Sequence, residues 1–350
     1  MLTKDQERLL WHLSNFSIAD RDTCLMFLSN SERKKPEYGL RTLMRREYVT
    51  QRKDGLYGIT VKGLGYLGKE ECWLSCGGNR EARKRLAKTS RTAALLIQCG
   101  INLLDAIPQN GEAGFIPSPI WRKTREGITS TARFNGILFQ HGKRLVVYHI
   151  GDGNMDWQTF AERSLFFQNY GKYDDRATGM LLICDDGRGP EIGQNIIRET
   201  MYRRNRFLAN PGGSYYETDK PQKYAHAPIR LHDQYSRAFL TEEQDLHYTL
   251  ETITLEEEII EKYCRCLGGS VARSKDFWDI EVYPKRIIVN PANDLFKYLY
   301  LFAHLRDSTI KSNIRWELPM QKKYASLAAP YEQDIEVWAL WEKALLQNPA

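Results

Sequence analysis

The apolar positions of roughly the first seventy residues fall into short periodic runs separated by polar punctuation. Leu9, Leu10, Leu13 and Phe16 recur at helical spacing, which predicts an amphipathic helix capped by Thr3. A second run, residues 20–28, carries Cys24, Leu25, Phe27 and Leu28, and Ser29, Asn30 and Ser31 break it. Proline is tolerated in a first helical turn, so a third helix is predicted from Pro36 to about Arg46, with Leu40 and Leu43 facing the core. Two short strands follow, residues 48–51 and 56–60, joined by Arg52, Lys53, Asp54 and Gly55. Asp-Gly adopts positive φ readily and marks a hairpin. Residues 62–67 close this stretch with a turn or short helix.

Behind it, residues 79–104 read as one long helix. Its first half is basic (Arg80, Arg83, Lys84, Arg85, Lys88 and Arg91) and its second half apolar. The basic half either extends a polyanion-binding footprint or is a solvated connector. Residues 111–118 read as a turn-rich loop. Two β-rich runs, 131–140 and 144–150, are separated by the hairpin signal His141, Gly142 and Lys143. An amphipathic helix at 156–170, a short apolar strand at 178–184 and a helix at 190–201 come next. The C-terminal third shows an acidic helix within 251–268 and strands at 277–282 and 285–289, with Pro284 at the bend. It ends with an aromatic helix at 294–306 and a last helix at 332–346, whose Trp338 and Trp341 offer a candidate dimer or partner face.

Composition sharpens this picture in two ways. Charged residues at 27% and hydrophobic residues at 42% are ordinary globular values and exclude wholesale disorder. The net charge of +6 is unevenly placed: residues 1–130 hold 22 Lys/Arg against 14 Asp/Glu, and the remainder holds 28 against 30. A basic front end on a near-neutral body suits a polyanion-binding module. No apolar run is long enough for a membrane span, and a cytoplasmic protein is expected. The seven cysteines read as reduced thiols; Cys72/Cys76 and Cys264/Cys266 do not have the usual zinc-knuckle spacing.

Three helices followed by a basic-tipped hairpin is the order of a winged helix-turn-helix. The residues Leu40, Leu43, Tyr48 and Val49, then Tyr57, Ile59, Thr60, Lys62 and Gly63, resemble a spacing found in many bacterial winged-helix proteins, with Glu47 where a turn glycine is commoner. Between Arg33 and Lys53 stand eight basic residues against Glu37 and Glu47. The expected DNA-binding residues are Lys34, Lys35, Tyr38, Arg41, Thr42, Arg45 and Arg46 on or beside the third helix, and Arg52, Lys53 and Tyr57 on the hairpin. Double-stranded DNA is the expected partner, bound by a homodimer, since one such helix reads few base pairs.

The order of elements behind the front end resembles the restriction-endonuclease-like core of PD-(D/E)XK nucleases. The fold class expected is thus α+β: a winged helix-turn-helix at 1–75, a long connecting helix at 76–110, a mixed α/β nuclease-like domain at 111–330 and a C-terminal helix at 331–350. A nuclease of that plan needs acids on its second and third core strands. The matching places hold Asn135, and Val146, Val147 and Tyr148, so a pseudo-nuclease is expected, with no catalytic residue, metal or cofactor. Asp152 and Asp156 read as turn and cap residues, and Glu162 stands alone on its helix. The combination resembles the replication-relaxation family of plasmid and conjugative-element proteins. That resemblance implies a DNA-binding accessory in replication, relaxation and transfer, or transcription regulation, with a relaxase or replication protein as a further partner. Abortive-infection antitoxins share a similar arrangement.

Other signals read blandly. Asp185, Asp186, Gly187, Arg188 and Gly189 lack a phosphate-loop pattern and read as a tight turn with an Asp cap. His141, His149, His226, His232, His247 and His304 show no metal-ligand spacing. Tyr202, Arg203, Arg204, Arg206 and Phe207 mix aromatics and arginines as single-strand binders do, and as solvated helix ends also do. Two other classes remain open: a metal-dependent nuclease whose acids come from displaced elements, and a protein-interaction module that inhibits a nucleic-acid machine.

Overall fold

The computed structural model describes residues 2–29, 35–75, 79–108, 112–124, 134–150, 179–208, 237–272, 278–307, 314–331 and 333–339. Helices and mixed sheets make it an α+β protein, and the chain divides into two compact units. The first comprises residues 1–127 with 134–139, the second 128–133 with 140–350. No helix among the described residues is long and apolar enough to cross a membrane.

The first unit begins with α1 (Lys4–Phe16). Thr3 caps it reciprocally: Gln6 N–H donates to Thr3 Oγ1, and Thr3 N–H donates to Gln6 Oε1. β1 (Ile18–Ala19) leads into α2 (Arg21–Leu28), where Asp20 accepts from Thr23 N–H at 2.7 Å. α3 (Pro36–Arg45) follows, then β2 (Val49–Gln51), β3 (Tyr57–Ile59) and α4 (Val61–Tyr66). The three strands form one antiparallel sheet in the order β1-β3-β2. Leu9, Leu10, Leu13, Phe27, Leu28, Leu40, Leu43, Val49 and Tyr57 share its core.

Two backbone sites explain the local residue choice. Gly63 sits where an added Cβ would stand 2.4 Å from the Tyr48 carbonyl oxygen, so only glycine lets α4 close on β2. Glu47 turns the chain from α3 into β2 at φ 63°, a left-handed conformation costly for a residue with a Cβ. Its ion pair with Lys62, 3.0 Å on the open surface, returns little. Glu47→Gly is expected to raise stability by about 1 kcal/mol. Urea unfolding checks this; a loss of stability would mean the turn is not strained.

α5 (Arg80–Gln98) packs against α1, α2 and β1 through Leu86, Ala93, Ala94 and Leu96. It ends at Gln98, short of the expected 104, because Gly100 at φ 82° reverses the chain into β4 (Asn102–Leu103). The loop expected at 111–118 is instead β5 (Gly114–Pro117), leading into α6 (Ser118–Thr124). β5 pairs in parallel with β4 and antiparallel with β6 (Gly136–Gln140). The turn after β6 uses His141 at φ 47° and Gly142 at φ 73°, the mirror-image geometry that tight hairpins favour.

In the second unit, β7 (Lys143–Ile150), β8 (Gly179–Cys184) and β9 (Ala238–Glu242) run parallel. All six residues of β8 are buried, as an apolar strand covered on both faces requires. α7 (Gly189–Leu208) follows β8; α8 (Leu246–Thr254) and α9 (Glu256–Leu267) follow β9. A second sheet has the order β10-β11-β12-β13-β14, from β10 (Ser270–Val271), β11 (Ile280–Val282), β12 (Lys285–Ile287), β13 (Arg315–Met320) and β14 (Ile335–Ala339). α10 (Leu295–Asp307) lies against β9, and a 3-10 segment (Lys322–Tyr331) lies against α7. β14 corrects the C-terminal helix at 331–350 over these five residues. Ile335, Glu336 and Val337 also alternate with period two, and pairing with Trp316–Met320 of β13 decides for strand. The expected helix at 156–170, with Asp152, Asp156 and Glu162, lies outside the described residues, as do the side chains of Trp338 and Trp341.

Candidate nucleic-acid interface

α3 divides cleanly by side-chain type. Leu40 and Leu43 are buried, with Gly39 against Leu28 on the same side. Tyr38, Arg41, Thr42 and Arg45 follow the i, i+3, i+4, i+7 spacing and therefore share the opposite face. Tyr38 is 51% exposed, and Arg41 and Arg45 are exposed. Among the described residues neither arginine makes an ion pair, and both guanidinium forks face solvent. Thr42 is half-buried and its hydroxyl donates to the Tyr38 carbonyl at 2.8 Å, fixing it along the helix. Lys35 and Arg46, at the two ends of the helix, are exposed. Lys34 lies outside the described residues.

The hairpin is held from behind. Arg52 N–H donates to Leu56 O at 2.8 Å and Gly55 N–H to Arg52 O at 3.0 Å, closing a turn in which Gly55 has φ 83°. Asp54 accepts from Arg83 Nε of α5 at 2.6 Å, and that hydrogen bond lowers its carboxyl below the ordinary aspartate value. Lys53 at the tip is exposed. Arg52 is exposed too, but its Nε lies close to Gly58, so its stem runs back along β3.

Tyr57 requires a correction. It is 7% exposed and packs with Leu10, Leu43 and Val49, because strand alternation turns it inward while its neighbour Leu56 is half-exposed. Its ring supports the sheet.

The basic half of α5 is partly committed inside the unit. Arg83 holds Asp54, and Arg91 stands 3.8 Å from both Asp20 and Asp22. Arg80, Arg85 and Lys88 are exposed. Cys72 points at the Leu13 carbonyl and Cys264 at that of Gly269.

The second unit gathers residues that spacing did not connect. β7 carries no carboxylate, and neither does β6, most of which belongs to the first unit; there Asn135 is buried, and its carbonyl accepts from Ser118 N–H at the start of α6. The turn after β8 forms as expected, with Arg188 N–H donating to Asp185 O, yet neither aspartate caps α7. Glu242 of β9 does so, accepting from Gly189 N–H at 2.9 Å. Burial pushes the Glu242 carboxyl up, but Lys323 and the Gly189 and Gly187 amides outweigh it and hold it low. Asp186 accepts from Gln244 N–H instead. His149 faces Asp185 and Glu243, a grouping that residues thirty-six and fifty-eight positions apart give no local signal for. The side chains of Tyr202, Arg203, Arg204, Arg206 and Phe207 lie outside the described ones.

Comparison of the chain with protein-family models, curated proteins and solved structures finds no match in any of the three.

Proposed function

We propose that residues 1–75, within the first unit, form a winged helix-turn-helix that binds double-stranded DNA, with α3 in the major groove and the β2–β3 hairpin on the flanking backbone. The observation that carries this reading is the stripe on the face opposite Leu40 and Leu43, in which Tyr38, Arg41 and Arg45 are exposed and Thr42 is half-buried. Helix α3 is about 15 Å long, enough to lay two guanidinium forks along base edges or phosphates. Lys53 at the hairpin tip adds a phosphate contact, and Asp54–Arg83 keeps the hairpin in place. The order α1, β1, α2, α3, β2, β3 with the sheet order β1-β3-β2 supports the winged-helix reading.

The protein then acts as a non-catalytic accessory or regulator of a bacterial plasmid or mobile element, binding as a dimer. Residues 111–330, resembling a nuclease core without acids on β6 and β7, supply docking to a second copy or to a replication or transfer protein. Anisotropy titration of labelled duplex tests the interface. Arg41→Ala/Arg45→Ala is expected to weaken binding at least about tenfold and to reduce the slope of log affinity against log salt by about 2. Tyr57→Phe is expected to change neither. Unchanged affinity in the double variant rejects the interface. Incubating supercoiled plasmid with the protein and Mn²⁺ tests the non-catalytic part: nicking abolished by one carboxylate substitution overturns it.

A further inference from the structure

We propose that His149, Asp185 and Glu243 bind one divalent first-row cation at the carboxyl edge of the parallel strands β7, β8 and β9. Parallel pairing brings the three chain segments to one level: Ile150 is in register with Cys184, and Cys184 with Glu242. His149 precedes the first of these, while Asp185 and Glu243 follow the other two. Three successive strands thus each deliver one ligand to the same edge, the edge at which open α/β sheets place their ligands.

The geometry fits an ion. His149 Nε2 lies 3.0 Å from Glu243 Oε1 and 3.8 Å from Asp185 Oδ1, and the three ligand atoms lie within 4.8 Å of one another. Atoms bonded to one cation at about 2.0–2.2 Å stand about 3.0–3.6 Å apart, so small side-chain movements close the set. The His149 side chain is 4% exposed and that of Glu243 11%, whereas Asp185 is 42% exposed. Two ligands are therefore fixed in the protein, and the third faces solvent, giving the ion a way in and room for water.

The surroundings hold this arrangement. Asp186 binds Gln244 N–H, which ties the loop carrying Asp185 to the loop carrying Glu243. Glu242 ties the start of α7 to β9. Lys323, at the same edge, is bonded to Glu242 and Asp245, so its charge is spent on those two carboxylates. One imidazole with two carboxylates matches Mn²⁺ or Zn²⁺ better than Mg²⁺, which prefers oxygen ligands alone.

Mn²⁺ alone is the probe, because free thiols such as exposed Cys266 compete for Zn²⁺. Titration of the full chain followed by electron paramagnetic resonance is expected to show one tight Mn²⁺ per chain, with nitrogen coupling from an imidazole. His149→Gln is expected to remove that coupling. Asp185→Asn, at a solvent-facing position that tolerates exchange, is expected to weaken binding at least about tenfold while circular dichroism stays unchanged. Absence of stoichiometric binding overturns the site, and so does equal affinity in folded Asp185→Asn. None of these readouts depends on DNA.

Discussion

Lys297→Met is expected to destabilise the second unit by about 3–5 kcal/mol, a large share of the 5–15 kcal/mol typical of a domain. Lys297 stands in the first turn of α10 with its side chain only 9% exposed. Its ammonium donates to the Val289 carbonyl at 2.7 Å and to both oxygens of Asp279 at 2.9 and 3.1 Å. It also lies 3.1 Å from Glu256, which pairs with Arg237; Arg237 in turn holds Asp294. Burial alone lowers the Lys297 pKa, but Asp279 and Glu256 outweigh it and raise the ammonium above its ordinary value. Methionine keeps the packing of the stem and removes the charge, leaving Asp279 buried without its cation. Urea unfolding of the full chain measures the loss. Lys297→Met/Asp279→Asn is expected to recover part of it, since removing both members of a buried pair costs far less than removing one. A loss below about 1 kcal/mol in the single variant would show that the network adds little.

Lowering the pH from 8 to 5 is expected to cost the first unit about 2 kcal/mol, through His12. The ring is fully enclosed, 5.0 Å from Phe16 and 4.6 Å from Phe27 between centroids, with Nε2 2.8 Å from Ser90 Oγ of α5. Burial lowers its pKa from 6.5 to about 3, and the hydrogen bond to Ser90 offsets only part of that. The folded state therefore takes up the proton later than the unfolded chain. Its contribution is whole above the ordinary histidine pKa and drains as pH falls toward the folded value, reaching about 5 kcal/mol below pH 3. Between pH 8 and 5 most carboxylates stay ionised, so the window isolates histidine. Unfolding curves at pH 8, 6.5 and 5 measure the slope, and His12→Gln should flatten it. A slope that persists in the variant would assign the effect elsewhere.

Where the controlling interactions lie within a few residues, the elements were legible. Thr3 caps α1 through Gln6, Pro36 opens α3, and Asp54-Gly55 and His141-Gly142 make their turns as their local chemistry demands. The apolar run of β8 announced a strand buried on both faces. The strands β1, β5, β9 and β14 did not declare themselves in the same way. Each is two to five residues long, and the hydrogen bonds that define it come from a partner strand. Tyr57 shows the same limit on a single side chain: alternation says that neighbours face opposite ways, and only the sheet's packing says which way is inward.

By itself, then, the sequence determined the helices of the front end, the basic stripe of α3 and its apolar back, because periodicity, capping and charge act over three or four residues. The tertiary structure decided the rest: that α5 packs against α1 through His12 and Ser90, that Glu242 caps a helix fifty-three residues before it, and that His149, Asp185 and Glu243 meet. Those contacts join segments far apart in the chain, and parallel strand pairing, which no local spacing encodes, is what brings the last three residues to one edge.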